Sequence, residues 1–190
     1  IEKGVRRIGA EQEMFIIDEQ FKPVSCAQKL LKQIDDPRFT TEMGLYNLEA
    51  NLTPQDFGGS CLKRLEDELV EVLVKARQAA ASVNNDILLT GILPTIKKTD
   101  LTVENMTPLP RYHEMNDILL KTRKGDFVLR IEGVDDLQVS ENSVMLETCA
   151  TSFQIHFQVG AQEFANLYNV AQLVTAPVLA AAVNSPTLLG

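Results

Sequence analysis

Residues 9–17 read Gly-Ala-Glu-Gln-Glu-Met-Phe-Ile-Ile, an apolar, partly β-branched run that contains two glutamates. This composition predicts a β-strand. Because successive side chains of a strand point to opposite faces of the sheet, Glu11 and Glu13 share one face. Residues two apart on one face are separated by roughly 7 Å. Two carboxylates at this spacing can hold neighbouring cations, or share one cation through water.

Two later segments show the same division into an apolar and a polar face. We predict strands at 46–53 and 150–159, where apolar and polar side chains alternate. The apolar faces are expected to pack into a core covered by helices. The polar faces carry Asn47, Glu49 and Asn51 in the first segment, and Ser152, Gln154, His156 and Gln158 in the second.

The polar faces of these three strands lack positive charge. A polar sheet face usually meets water, but such a face normally carries lysine or arginine, and residues 9–17, 46–53 and 150–159 contain neither. Clustered carboxylates without basic partners repel one another unless a cation binds them. Hard oxygen ligands suit Mg²⁺ or Mn²⁺, and Mn²⁺ accepts one imidazole. We therefore predict a metal site with these ligands: Glu11, Glu13, Glu49 and His156.

The remaining pattern mixes helices with short strands. Leucines 62, 65, 69 and 73 recur at helical spacing and predict a buried helical stripe. No G-x-G-x-x-G or G-x-x-x-x-G-K-[ST] turn is present. We expect an α+β domain with a mainly antiparallel sheet and flanking helices. The predicted helices cover 26–34, 61–83, 112–122 and 162–183, and further strands cover 86–93, 127–131 and 142–148.

Charge and cysteine content narrow the classes of partner. The formal net charge is −8, from 26 acidic and 18 basic residues. Nucleic acids bind to basic surfaces, so we expect no nucleic-acid partner. The three cysteines are widely spaced and form no C-x-x-C pair. This spacing disfavours a disulfide framework or a zinc site and is typical of reduced thiols in a cytoplasmic protein.

Residues 170–190 are largely apolar, but two prolines interrupt them and no basic residue flanks them. A core helix is therefore a better interpretation of this segment than a membrane span. A helix that is apolar on nearly all sides needs cover on every face. We therefore expect residues 1–190 to be a single domain that is part of a longer protein.

Four segments, in this order, resemble the family 2 glutamate–cysteine ligases and related carboxylate–amine ligases. They are GAEQEMF at 9–15, TTE at 40–42 followed by NLEANLTP at 47–54, TSFQIH at 151–156, and AVNSP at 182–186. Residues 127–148 do not align with the family pattern.

The resemblance implies that residues 1–190 are the N-terminal part of a catalytic domain similar in fold to that of glutamine synthetase, with Mg²⁺ and ATP inside a funnel of curved antiparallel sheet. It places the four predicted ligands at the metal and nucleotide site. Glu42 is interpreted as a turn residue or an outer ligand, and Arg111-Tyr112 as a pair near the substrate pocket. The residues expected to bind the ATP co-substrate are Asn51, Gln154 and Arg111.

The resemblance further implies that ATP phosphorylates a carboxylate and that an amine then attacks the acyl phosphate. In the family, the carboxylate is expected to be the γ-carboxyl of glutamate and the amine that of cysteine. A reaction of this type belongs to glutathione biosynthesis. Relatives use other amines, so the identity of the amine acceptor stays open. The alternatives are a non-catalytic ligase-like binding domain, an inactive fragment, or a carboxylate–metal hydrolase. The hydrolase is disfavoured because no separate base or nucleophile is evident. The expected partners are amino acids and ATP. We expect no association with a membrane, and a homo-oligomer is compatible with the sequence.

Overall fold

A computed structural model describes residues 4–185 and 187–189 and shows an α+β fold, as predicted. The strands are β1 (Arg7–Ile17), β2 (Phe39–Thr41), β3 (Asn47–Asn51), β4 (Gln55–Asp56), β5 (Asp86–Leu88), β6 (Phe127–Glu132), β7 (Asp136–Glu141) and β8 (Phe153–Phe157). The α-helices are α1 (Ala27–Ile34), α2 (Cys61–Ala81), α3 (Pro110–Arg123) and α4 (Phe164–Ala182). Short 3₁₀ helices cover Lys98–Asp100, Val103–Asn105 and Val144–Cys149.

Strand β1 is the centre of the main sheet, and all its pairings are antiparallel. It pairs with β3 through residues 11–15, with β8 through residues 8–12, and with β5 through residues 15–17. Strand β4 extends the sheet beside residues 7 and 8, and β2 pairs with the outer side of β3. Side chains from several neighbouring strands therefore lie beside those of β1 on each face of the sheet.

One face of the sheet packs against α1 and α2. The even-numbered residues Ile8, Met14 and Ile16 are buried there in one apolar cluster with Leu30 of α1 and Leu65 of α2. Burying one large aliphatic side chain contributes about 1.5–3 kcal/mol. This cluster fixes which face of β1 turns inward, and the glutamates must then lie on the other face.

The predicted leucine stripe of α2 is wrong at its first position. Leu65 is buried and Leu69 and Leu73 are half-buried, but Leu62 is 65% exposed. The buried line of the helix begins at Cys61 and continues through Leu65 and Val72. Consecutive helical residues differ in direction by about 100°, so Leu62 points away from the core even though it lies next to Cys61.

A second apolar cluster covers the end of the glutamate-bearing face. Phe15 and Ile17 continue the face of Glu11 and Glu13, and both are buried with Tyr46, Leu93 and Met145. The glutamates therefore lie where this cluster ends, on the part of the face that remains open.

Residues 142–148 do not form the predicted strand. Residues 144–149 form a 3₁₀ helix, in which the Ser143 side chain accepts a hydrogen bond from the Met145 amide. The partner of β6 is instead β7, which lies between the two segments predicted as strands. In β7, Leu137 and Val139 alternate with polar residues and lie opposite apolar residues of β6, which explains the pairing.

The last part of the chain also differs from expectation. Phe153, Ile155 and Phe157 of β8 are each more than 40% exposed, so the apolar face of this strand is only partly covered. Helix α4 has no buried residue among those described, so the expected core helix is not buried in this structure. By length and apolar composition α4 meets the criteria for a membrane span, as do core helices of many soluble proteins. It continues through Pro177.

Candidate metal centre

The strand register brings the predicted site residues to one face of the sheet. Glu13 lies opposite Glu49 of β3, and Glu11 lies opposite Asn51 of β3 and Gln154 of β8. His156 lies opposite Gly9, one step further along the same face. Directly paired residues share a face, so carboxylate, amide and imidazole groups converge there from three strands.

Three glutamates form the tightest group on this face. One carboxylate oxygen from each of Glu13, Glu42 and Glu49 lies within 4.8 Å of the other two, and all three residues are half-buried. We call these residues the three-glutamate cluster. Two of them are predicted ligands, whereas Glu42 had been interpreted only as a turn residue or outer ligand.

Glu42 reaches the cluster because it directly follows β2. Thr40 and Thr41 pair with Glu49 and Leu48 of β3, so the chain leaves β2 beside Glu49. Buried Thr107 then fixes the turn: its hydroxyl donates to the carbonyl of Glu42 at 2.6 Å, and its amide donates to the carbonyl of Met43 at 2.7 Å. The short Phe-Thr-Thr run before Glu42 indicates a strand, but three residues are too few to show the alternation of apolar and polar side chains that identifies one.

Burial and neighbouring negative charges both disfavour ionisation of Glu42. Burial, followed by the hydrogen bond and negative charge of Glu49 and then the charge of Glu13, raises the pKa of Glu42 to about 8. Without a cation, Glu42 is therefore largely protonated at neutral pH and shares a hydrogen bond with Glu49. Within residues 4–185 and 187–189, no lysine or arginine forms an ion pair with any member of the cluster.

The donor set of the three-glutamate cluster fits a hard divalent cation. Its ligand atoms are carboxylate oxygens, the type that Mg²⁺ and Mn²⁺ prefer. Their mutual repulsion is the kind of destabilisation that a bound cation offsets. With three protein ligands, an octahedral ion keeps positions for water or for phosphate oxygens.

Hydrogen bonds from β8 and from Ser152, the residue before it, hold the Glu13 side chain in place. The backbone amide of Ser152 donates to Glu13 Oε2 at 2.8 Å, and Gln154 Nε2 donates to Glu13 Oε1 at 2.7 Å. The amide of Glu13 in turn donates to the carbonyl of Ser152 at 2.9 Å. In this structure Gln154, a predicted nucleotide ligand, therefore orients a metal-ligand candidate.

The other two predicted ligands form a separate pair. His156 Nε2 lies 3.5 Å from Glu11 Oε1. Both residues border an open cavity of about 520 Å³, which Asn51 also borders. The Asn51 side-chain amide donates to Glu49 Oε1, so it links this cavity to the three-glutamate cluster. The four predicted ligands are thus divided between two neighbouring sites on one face.

Arg111 borders a second open cavity, of about 380 Å³, on the other side of the cluster. Glu42, Glu49 and Tyr112 also border this cavity. The Arg111 guanidinium lies 4.5 Å from the centre of the Tyr112 ring and donates to Thr41 Oγ1 at 3.1 Å. Among the described residues Arg111 has no carboxylate partner, so its positive charge faces an acidic cavity without being neutralised by an ion pair.

Comparison with protein families identifies the family of this chain. The model of glutamate-cysteine ligase family 2 matches residues 7–190. The chain belongs to this family. No curated protein and no solved structure matches it. Membership in glutamate-cysteine ligase family 2 confirms the resemblance and indicates a ligase-like enzyme of the carboxylate–amine class.

Proposed function

We propose that this chain catalyses, or supplies the metal site for, the ATP-dependent joining of a carboxylate to an amine. The γ-carboxyl of glutamate and the amine of cysteine are the expected substrates. The observation that carries the proposal is the three-glutamate cluster: ligand oxygens within 4.8 Å of one another on a half-buried sheet face. Family membership supplies the reaction class.

The proposed reaction has two steps. A carboxylate oxygen of the first substrate attacks the γ-phosphorus of ATP, and ADP leaves. The amine nitrogen of the second substrate then attacks the acyl carbon, phosphate leaves with its bonding electrons, and the nitrogen loses a proton. A bound Mg²⁺ or Mn²⁺ offsets the negative charge of the phosphate oxygens during such a transfer. Positioning and charge compensation account for most of the catalysis in this scheme.

The chain's own residues have distinct roles in this proposal. Glu13, Glu42 and Glu49 hold the cation, and Glu42 must lose its proton to do so. Glu11 and His156 provide a second ligand pair in the adjoining cavity. None of these residues acts as a nucleophile. The nucleotide phosphates are expected next to this face, within reach of Asn51 and Gln154.

The cavity beside Arg111 suits the amino-acid substrates. A planar guanidinium can bind a carboxylate through two parallel hydrogen bonds, and Arg111 has no protein carboxylate to compete for it among the described residues. Glu42 and Glu49 border the same cavity, so a substrate bound at Arg111 would lie next to the proposed cation. We therefore assign Arg111 to substrate binding rather than to ATP. Amino acids and ATP in the cytoplasm are the proposed partners.

Phosphate release tests the proposal. The chain is incubated with ATP, Mg²⁺, glutamate and each of a panel of amines, beginning with cysteine, and inorganic phosphate and the amide product are measured. We expect release that requires both the carboxylate and the amine. Glu13→Gln should abolish it, whereas Glu66→Gln, which neutralises an exposed carboxylate on α2, should not.

Two other outcomes would support the alternatives. Phosphate release without any amine would indicate hydrolysis rather than ligation. Binding of Mn²⁺ and ATP without turnover, for every carboxylate and amine in the panel, would indicate a non-catalytic ligase-like domain.

A further inference from the structure

The segment that follows α4 is hydrogen-bonded to the turn at residues 90–92. Asn184 Oδ1 accepts a hydrogen bond from the amide of Gly91 at 2.8 Å, and Ser185 Oγ accepts one from the amide of Ile92 at 2.7 Å. The Ser185 hydroxyl also donates to Asn184 Oδ1 at 3.3 Å. We call Asn184 and Ser185 the 184–185 clamp. It satisfies two consecutive backbone donors that are 93 residues away in the chain.

The approach of the clamp requires glycine at position 91. A methyl group on Gly91 would collide with Ser185 Oγ and would press against Asn184 Oδ1. The backbone of Gly91 has an ordinary φ, so space rather than backbone conformation excludes a side chain here. Glycine thus allows close contact between the clamp and the turn at 90–92.

The same turn holds the residue that precedes Ser152. The carbonyl of Gly91 accepts from the amide of Thr151 at 2.8 Å, and the carbonyl of Thr90 accepts from Thr151 Oγ1 at 2.5 Å. Thr151 is buried. Two hydrogen bonds, one from its backbone and one from its side chain, therefore fix the orientation of Thr151 relative to the turn.

The orientation of Thr151 determines where the amide of Ser152 points. The carbonyl of Thr151 and the N–H of Ser152 belong to one planar peptide unit. That N–H donates to Glu13 Oε2 at 2.8 Å. A continuous series of hydrogen bonds thus runs from the 184–185 clamp through the 90–92 turn and Thr151 to a member of the three-glutamate cluster.

We infer that the 184–185 clamp is a positioning element for Glu13 and that it raises the affinity of the three-glutamate cluster for a divalent cation. This inference rests on the proposed role of Glu13 as a cation ligand. Residues that orient metal ligands typically change metal affinity 10- to 100-fold when they are removed. The clamp acts through intervening backbone, so the lower end of that range, roughly tenfold, is expected.

The test measures Mn²⁺ affinity of the full chain by electron paramagnetic resonance or calorimetry, without substrates. The variant N184A/S185A should bind Mn²⁺ about tenfold more weakly than wild type. Asn184→Asp, which keeps the acceptor oxygen, should retain affinity within about threefold. Ser82→Ala, which removes hydrogen bonds of a distant hydroxyl to Gln33 and to the Ala79 carbonyl, should match wild type.

The background variant Glu13→Gln separates positioning from general loosening of the fold. If the clamp acts through Glu13, then N184A/S185A should cause no further loss of affinity when Glu13 is already replaced. In the metal-free protein, the Ser152 amide should exchange its hydrogen faster in the clamp variant. Ser185→Ala alone removes the bonds to the Ile92 amide and to Asn184 Oδ1 but keeps the bond from the Gly91 amide to Asn184. It provides the same test if the double variant does not fold.

Two results would overturn the inference and leave the proposed function intact. One is unchanged Mn²⁺ affinity in the clamp variants. The other is an equal loss of affinity in the wild-type and Glu13→Gln backgrounds, which would show that the clamp only stabilises the fold. If wild type itself does not bind Mn²⁺, both the inference and the proposed metal site are wrong.

Discussion

Replacing Glu42 by glutamine should stabilise the metal-free protein in a pH-dependent manner. The substitution keeps the size of the side chain and removes its charge. Two unit charges 4.8 Å apart repel by roughly 3.5 kcal/mol at an effective dielectric constant of about 20. Water and salt reach this half-buried site and reduce the repulsion. We expect a gain in the free energy of unfolding of about 1–3 kcal/mol at high pH.

The pH dependence follows from the raised pKa of Glu42. Folding raises this pKa from its ordinary value of 4.5 to about 8. Between these values the unfolded chain is ionised while the folded protein keeps the proton, so wild type loses stability as pH rises. Below the lower value both states are protonated and the contribution to stability is fully present. The advantage of Glu42→Gln should therefore grow from about pH 5 to about pH 8 and stay constant above.

Urea unfolding in the presence of EDTA measures this difference at pH 5.5, 7 and 8.5. The control is Glu66→Gln, which neutralises an exposed carboxylate that pairs with Lys63 on the outside of α2. Its effect should not increase with pH in this way. A stability difference for Glu42→Gln that is independent of pH, or a loss of stability at pH 8.5, would show that Glu42 is not crowded by the other two carboxylates.

Three further predictions concern the core, the cation and the substrate. Leu65→Ala should lower the free energy of unfolding by about 2–4 kcal/mol, whereas the exposed Leu62→Ala should change it by less than about 0.5 kcal/mol; equal losses in urea unfolding would contradict the packing of α2. Mg²⁺ binding at pH 7 should release about one proton, because Glu42 must ionise to bind the cation. Calorimetry in buffers of different ionisation enthalpy measures the number of protons released, and no release would show that Glu42 is not a ligand. Arg111→Gln should raise the KM for the amino-acid carboxylate about tenfold or more with a smaller change in the KM for ATP; the reverse pattern would assign Arg111 to the nucleotide.

The strand that carries the site was predictable because its local pattern and its tertiary environment agree. Residues 9–17 are apolar, apart from Gln12, on the face that α1 and α2 cover, and the two glutamates fall on the other face. The register with β3 follows from the same alternation, since a shift by one residue would turn Leu48 outward and Glu49 inward. Placement of Glu13 opposite Glu49 is therefore largely a consequence of sequence pattern.

Other features depend on contacts that local pattern does not encode. Glu42 joins the cluster through a three-residue strand and a turn held by Thr107, which is 65 residues away. Residues 144–149 have the apolar character of a strand, but they form a 3₁₀ helix because Ser143 caps the segment and Met145 enters the second apolar cluster. The apolar faces of β8 and α4 suggested burial, whereas in this structure their apolar side chains remain largely exposed.

The most direct test of the metal site is a crystal structure of the chain grown with Mn²⁺, with diffraction data collected at the manganese absorption edge. We expect an anomalous peak between the carboxylates of Glu13, Glu42 and Glu49, with oxygen ligands around it, and its loss in Glu13→Gln. A peak at the Glu11–His156 pair alone, or no peak on this face of the sheet, would contradict this expectation.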